Sequence, residues 1–296
     1  MQWVRVSFRA LRHQFESLEE TLLENGAISV SLENHKAEEI LEPGVGETPL
    51  WSSIKLTALF LENSGIEKLQ GRIAERMGVE IICCDILKDR NWQNEHQKNF
   101  SPVWFNNKLC ICPTWIDMPK KNSATLIINP GLAFGTGEHP TTALCLDVLS
   151  RKKLKQKTVV DFGCGSGILG LAALKLEAST LLGIDIDPQA LRASRENAIL
   201  NDLTTKLKLS LSTDPQISEW QGKADLVLAN ILANPLMELA PRLTGLLKDG
   251  GSLILSGILE SQVSKIRSVY SRFLALENKK TKEGWTVLEG TYNLNK

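Results

Sequence analysis

The sequence predicts an α/β protein in two parts: a small α+β domain followed by a doubly wound, mostly parallel sheet. Three observations carry this. The chain has 296 residues, enough for about two domains. Its first ninety residues read as short strands and helices in the order βαββαβ. From about residue 140 onward, long apolar strands alternate with helices. Strands that are apolar along their whole length and separated by helices have both faces covered, as in a parallel sheet.

In the first part, QWVRVSF (2–8) reads as a strand and FESLEETLLENG (15–26) as a helix closed by Gly26. AISVSLE (27–33) alternates in polarity, so it is a half-buried strand. EPGVGETP (42–49) is a loop. IKLTALFL (54–61) is a strand, IEKLQGRIAERMG (66–78) a helix and VEIICCDIL (79–87) a strand. This is the split order of ferredoxin-like domains. DRNWQNEHQKNF (89–100) is polar and reads as a helical linker. PVWFNNKLCICPTW (102–115) reads as a hairpin turning at Asn106-Asn107, with its aromatics in a core or a domain interface.

In the second part, helices are expected at TALCLDVLSRK, GILGLAALKLE, PQALRASRENAILN and PLMELAPRLTGLL. Strands are expected at TVVDFG, STLLGIDID, LKLSLS, ADLVLAN and GSLILSG. A helical segment (ESQVSKIRSVYSRF) and a strand (WTVLEGTY) follow. The boundaries drawn are 1–88 for the small domain, 89–124 for linker and hairpin, and 125–296 for the large domain.

Composition excludes several classes. Formal net charge is zero, and this neutral charge and a missing basic stripe weigh against direct nucleic-acid binding. The charge is uneven, however. Residues 1–87 hold 8 Lys and Arg against 14 Asp and Glu, a net of −6, which leaves +6 on the rest. That first third is either a solvated surface or a docking surface for a basic partner. No apolar run reaches the roughly eighteen residues that span a bilayer, and the N-terminus does not read as a signal peptide. The six cysteines show no CxxC pair and the four histidines are scattered, so no metal site is expected. These features point to a cytoplasmic protein with reduced thiols and without membrane association; a monomer is expected, although no feature of the sequence sets the oligomeric state.

The chemistry concentrates around VVDFGCGSGILG (159–170). Gly163, Gly165 and Gly167 fall where the first strand of the large sheet meets a helix, the place where such sheets bind ligands. They let the backbone turn sharply and approach a ligand closely. Asp185, at the tip of the next strand, lies 22 positions after Gly163 and suits a ribose diol. Asp187 reads as the N-cap of a helix starting at Pro188. The ligand is then an adenosine compound, NAD or S-adenosylmethionine. The GxGxG spacing and Asp161 favour the second, because a carboxylate there repels a pyrophosphate and suits an ammonium. Asp161 has an alternative role, accepting from local backbone N–H groups.

NPGLAFGTGEHPTT (129–142) reads as a loop able to fold over the ligand, with Thr141 or Thr142 donating a hydroxyl. Its plainer reading is a hinge with a threonine N-cap. His139 reads as structural. Asn230 ends the strand ADLVLAN and faces the ligand crevice. Its amide suits orienting a substrate amine, holding the cofactor, or both. Phe134 is a candidate apolar wall.

Together, NPGLAFGTGEHPTT, VVDFGCGSGILGLAALKL, GIDIDPQAL and ANILANPL, in this order, resemble the PrmA family of ribosomal protein methyltransferases. The resemblance implies a Rossmann-like class I methyltransferase domain joined to an N-terminal substrate-recognition domain. It implies S-adenosylmethionine as cofactor, with contacts at Thr142, Gly163, Asp185 and Asn230. It further implies N-methylation of lysine side chains and the N-terminal amine of large-subunit ribosomal protein eleven. Glu138 and Asn234 depart from the family's pattern. The runner-up reading is a class I methyltransferase acting on another protein, nucleic acid or small molecule. An NAD-dependent oxidoreductase and an inactive adenosine-binding protein are the readings from other classes.

Overall fold

The computed structural model describes residues 2–34, 51–88, 101–116, 124–129 and 139–294. They fall into two compact units, Met1–Lys98 and Asn99–Lys296. The expected loop at 42–49, the linker helix at 89–100 and the glycine-rich segment 131–138, with Phe134 and Glu138, lie outside the described residues.

The first unit runs β1 (Gln2–Leu11), α1 (Phe15–Glu24), β2 (Ser29–Asn34), β3 (Ser53–Leu61), α2 (Ile66–Met77) and β4 (Glu80–Lys88). Its sheet order is β2-β3-β1-β4, with every neighbouring pair antiparallel. This is the expected ferredoxin-like arrangement. The reason is visible in β1. Val4, Val6, Phe8 and Ala10 alternate into a core with Leu18 and Leu22 of α1 and Ile66 and Ile73 of α2. On the other face, Ser7 and Thr57 share a hydrogen bond of 2.9 Å and Arg5 pairs with Asp85.

The second unit opens with a three-stranded sheet of β5 (Val103–Phe105), β6 (Leu109–Pro113) and β7 (Ala124–Ile128). Asn106 and Asn107 both take positive φ, 49° and 56°, in a three-residue hairpin loop closed by the pairing of Phe105 with Leu109. Phe105 is buried in the core of this unit. β7, parallel to β6, was not expected from the sequence, because ATLII is short and sits between polar stretches.

The main sheet contains β8 (Thr158–Phe162), β9 (Thr180–Asp185), β10 (Leu207–Leu211), β11 (Ala224–Asn230), β12 (Leu247–Leu259), β13 (Glu277–Lys282) and β14 (Trp285–Thr291). Their order is β10-β9-β8-β11-β12-β14-β13. The strands from β10 to β12 are mutually parallel, and β14 and β13 are antiparallel additions. The helices are α3 (Pro140–Leu149), α4 (Ile168–Lys175), α5 (Pro188–Leu200), α6 (Ala233–Glu238), α7 (Ala240–Gly245) and α8 (Val263–Tyr270). Consecutive strand residues enter opposite cores. Val159 and Leu228 pack with α3 and α4, whereas Val160 and Val227 pack with α6, α7 and α8. Both faces of the sheet are therefore covered, which is why these strands are apolar throughout. The order reverses between β8 and β11, a switch point that opens a crevice at the carboxyl ends of the strands.

Two expectations need correction. The single helix over 235–247 is two, α6 and α7, because Pro241 lacks the N–H that would continue the first. β13 was missed because ENKKTK is almost wholly exposed and has no apolar face to betray a strand. Among the described residues, no helix is long and apolar enough to cross a membrane.

Candidate functional site

The carboxyl ends of β8, β9, β11 and β12 and the start of α3 surround one cavity of about 720 Å³. Thr142, Gly163, Gly165, Asp185 and Asn230 all line it, together with Asp161. All five site residues expected from the sequence thus meet around one cavity.

The glycine turn is shaped by its neighbours. Both Gly163 and Cys164 donate their N–H to the Ile184 carbonyl, at 2.7 and 3.0 Å, tying the turn to the end of β9. Gly163 has φ +75°, and a Cβ there would stand 2.4 Å from Ile231 Cγ2. Gly257, past the middle of β12, has φ +81°, and its Cβ would stand 2.2 Å from the Ile231 carbonyl oxygen. Ile231 is therefore held between two positions that only glycine can occupy, and it fixes the cavity wall beside Asn230.

Asp185 organises the loop it faces. Its Oδ2 accepts from the Gly165 N–H at 2.9 Å and its Oδ1 from the Asp187 N–H at 3.0 Å. A carboxylate has about four acceptor positions, so two remain for hydroxyl donors in the cavity. Asp187 accepts from the Gln189 N–H at 2.8 Å and caps α5, as the sequence suggested.

One of the two roles anticipated for Asp161, accepting from a local backbone N–H, is visible. Asp161 is 1% exposed, and its Oδ2 accepts from the Gly170 N–H at 2.8 Å. Burial pushes its carboxyl up to about 7; the Gly170 bond opposes this and the Asp185 charge adds to it. Cys145 and Cys164 are buried nearby, and burial pushes both thiols up, Cys145 to about 12. Neither offers a thiolate nucleophile at neutral pH.

The start of α3 supplies the opposite wall. His139, not a threonine, caps the helix: its Nδ1 accepts from the Thr141 N–H at 3.4 Å and lies 2.7 Å from Thr141 Oγ1. Its ring packs edge-on against Trp285, with centroids 5.5 Å apart. Burial lowers its pKa, which favours the neutral ring. Ser256 of β12 donates to the Thr141 carbonyl at 3.1 Å and anchors the turn. Thr142 is fully buried, and the Asn230 Nδ2 donates to its Oγ1 at 3.3 Å. This leaves the Thr142 proton and the Asn230 Oδ1 to act as donor and acceptor.

Comparison with known proteins was decisive for the family. The family model described as "Ribosomal protein L11 methyltransferase (PrmA)" matches residues 2–293. Ribosomal protein L11 methyltransferase of Pasteurella multocida (strain Pm70) is 42% identical over 293 residues, covering 98% of this chain and 99% of that protein.

The chain belongs to the ribosomal protein L11 methyltransferase family.

The PrmA relative from Marinomonas sp. (strain MWYL1) is 40% identical over 296 residues, again covering 98% of this chain and 99% of the relative. A solved L11 methylase from Lactobacillus delbrueckii subsp. bulgaricus is 34% identical and superimposes with a TM-score of 0.58, covering 66% of this chain and all of that one. PrmA membership makes this chain a methyltransferase, and the doubly wound sheet is its Rossmann-like class I domain.

The sequence reading missed Ile231, Gly257, Ser256, Arg242 and Trp285. Gly257 carried the best signal, because a glycine late in an apolar strand marks a close backbone approach. Arg242 carried none. Its guanidinium lies 5.2 Å from the Phe162 ring centroid and donates to the Ser212 carbonyl, contacts that only the fold creates.

Proposed function

We propose that this protein is a cytoplasmic, monomeric enzyme that uses S-adenosylmethionine to methylate lysine side chains and the N-terminal amine of ribosomal protein L11. The observation that carries the reading is the convergence of Asp185, the Gly163–Gly165 turn, Thr142 and Asn230 on one cavity, in a chain of this family.

The residues present fit the cofactor. A cavity of about 720 Å³ is within the usual range for such ligands. Asp185 has acceptor positions for the ribose hydroxyls, Gly163 and Gly165 carry no Cβ to hold the ligand off, and Asp161 offers a carboxylate to the methionine ammonium. When bound, S-adenosylmethionine supplies an electrophilic methyl group on a sulfonium sulfur. What the chain contributes is position. Asn230 Oδ1 accepts a hydrogen bond from the substrate amine and aims its lone pair, while Thr142 holds the Asn230 amide in that orientation. Only about one lysine in a thousand is neutral near pH 7. The apolar wall of Ile231, Leu232 and Pro235 favours the neutral amine by excluding water.

The first unit serves substrate recognition in this reading. Its net charge of −6 over residues 1–87 suits a basic ribosomal protein.

Calorimetry tests the assignment. S-adenosylmethionine binds the wild type and NAD does not. Asp185→Ala weakens binding by about 1–3 kcal/mol. Unchanged affinity in that variant removes Asp185 from the site.

A further inference from the structure

Polar residues sit on the side of α5 that faces the core, where apolar ones are the rule. Ser194, Asn197 and Asn201, the last of them at the helix end, fall at i, i+3 and i+7 and so share one face. They are 1%, 2% and 5% exposed. Buried polar groups persist where they are bonded, and each of these bonds backbone outside the helix.

Two of them hold the glycine turn of the cavity. Ser194 Oγ donates to the Gly165 carbonyl at 2.8 Å, and Asn197 Nδ2 donates to the Ser166 carbonyl at 2.9 Å. The Gly165 N–H goes to Asp185 Oδ2 at 2.9 Å. Gly165 is therefore clamped at both ends, its carbonyl by α5 and its N–H by a carboxylate that lines the cavity. With φ +54° and no side chain, Gly165 has nothing of its own to fix the direction of its peptide planes. Without the clamp, its N–H can swing away from Asp185, and the carboxylate loses the partner that orients its remaining acceptor positions.

Asn201 has a different task. Its Oδ1 accepts from the Ile127 N–H at 2.9 Å and its Nδ2 donates to the Ile127 carbonyl at 2.6 Å. The amide thus stands in for the neighbouring strand that β7 lacks on its outer edge. Asn197 reaches β7 as well, its Oδ1 accepting from the Asn129 N–H at 2.9 Å. Among the described residues, Asn201 makes no hydrogen bond to the glycine turn.

We propose, on the reading of the cavity as an S-adenosylmethionine site, that Ser194 and Asn197 are positioning residues for the cofactor. Neither lines the cavity. They act through the Gly165 and Ser166 carbonyls, setting the turn and the Asp185 carboxylate in the arrangement that receives the ribose. Their effect falls on cofactor affinity and not on the methyl-transfer step, because the reacting groups lie at Asn230 and Thr142.

The test uses the full chain as wild type, Ser194→Ala, Asn197→Ala and Asn201→Ala, with calorimetry of S-adenosylhomocysteine binding and steady-state methylation of ribosomal protein L11. Ser194→Ala and Asn197→Ala are each expected to weaken S-adenosylhomocysteine about tenfold. The KM for S-adenosylmethionine is expected to rise in step, with kcat at saturating cofactor unchanged, as for a loss of uniform binding. Asn201→Ala, which removes an equally buried amide, is expected to lower the melting temperature as much as Asn197→Ala and to keep wild-type cofactor affinity. Ser194→Ala removes a single oxygen and keeps the proposal open to refutation should Asn197→Ala fail to fold. Wild-type affinity in Ser194→Ala, or equal weakening in Asn201→Ala, overturns the proposal and leaves the cofactor reading standing. A folded wild type that binds no S-adenosylhomocysteine overturns both.

Discussion

Asp161→Asn separates the empty enzyme from the loaded one. Asparagine keeps an oxygen for the Gly170 N–H, at 2.8 Å in the wild type, and removes only the charge. The wild-type carboxyl is raised from 3.8 to about 7, chiefly by burial. A raised folded-state value means that the native state holds its proton more tightly than the unfolded chain. Stability from this group is therefore fully present below about pH 4 and is lost as pH rises through about 7. At 1.36 kcal/mol per pH unit, the loss reaches up to roughly 4 kcal/mol. In ligand-free protein, Asp161→Asn is expected to match wild type near pH 4 and to be the more stable of the two near pH 8, with a flatter profile between. Urea unfolding at each pH, followed by hydrogen exchange around Gly170, measures this. Affinity for S-adenosylmethionine moves the other way, falling about tenfold or more with the loss of a charged partner for the ammonium. A variant that is less stable than wild type near pH 8, or that keeps the wild-type pH slope, refutes the reasoning.

Gly163→Ala forces a non-glycine residue to φ +75° and sets its Cβ 2.4 Å from Ile231 Cγ2. The expected loss is about 1–2 kcal/mol for the backbone and about 1–3 for overpacking, read as a lower melting temperature with weakened cofactor binding. Asn230→Ala removes both the acceptor for the substrate amine and the bond to Thr142. Turnover at saturating substrate is expected to fall about a hundredfold, and a wild-type rate removes Asn230 from the mechanism.

Much of the site was legible because it is local in sequence. The glycine turn, Asp185 and the Asp187 cap all lie within one strand–helix–strand unit, where spacing and residue type carry the geometry. Asn230 was legible because it ends a run of apolar residues with a polar one. Contacts between distant segments were not legible. His139 caps α3 in place of a threonine because Trp285, far along the chain, buries its ring. Ile231 matters because Gly163 and Gly257 close on it from two strands. β13 has no periodicity to read, since it is an exposed edge strand held by its pairing with β14.

The most direct test of the central claim is intact-protein and peptide mass spectrometry of purified ribosomal protein L11 after incubation with this enzyme and S-adenosylmethionine. The account predicts mass increases in whole methyl steps on lysine side chains and the N-terminal amine, absent without enzyme. Unmodified L11 from a preparation shown to bind S-adenosylmethionine contradicts it.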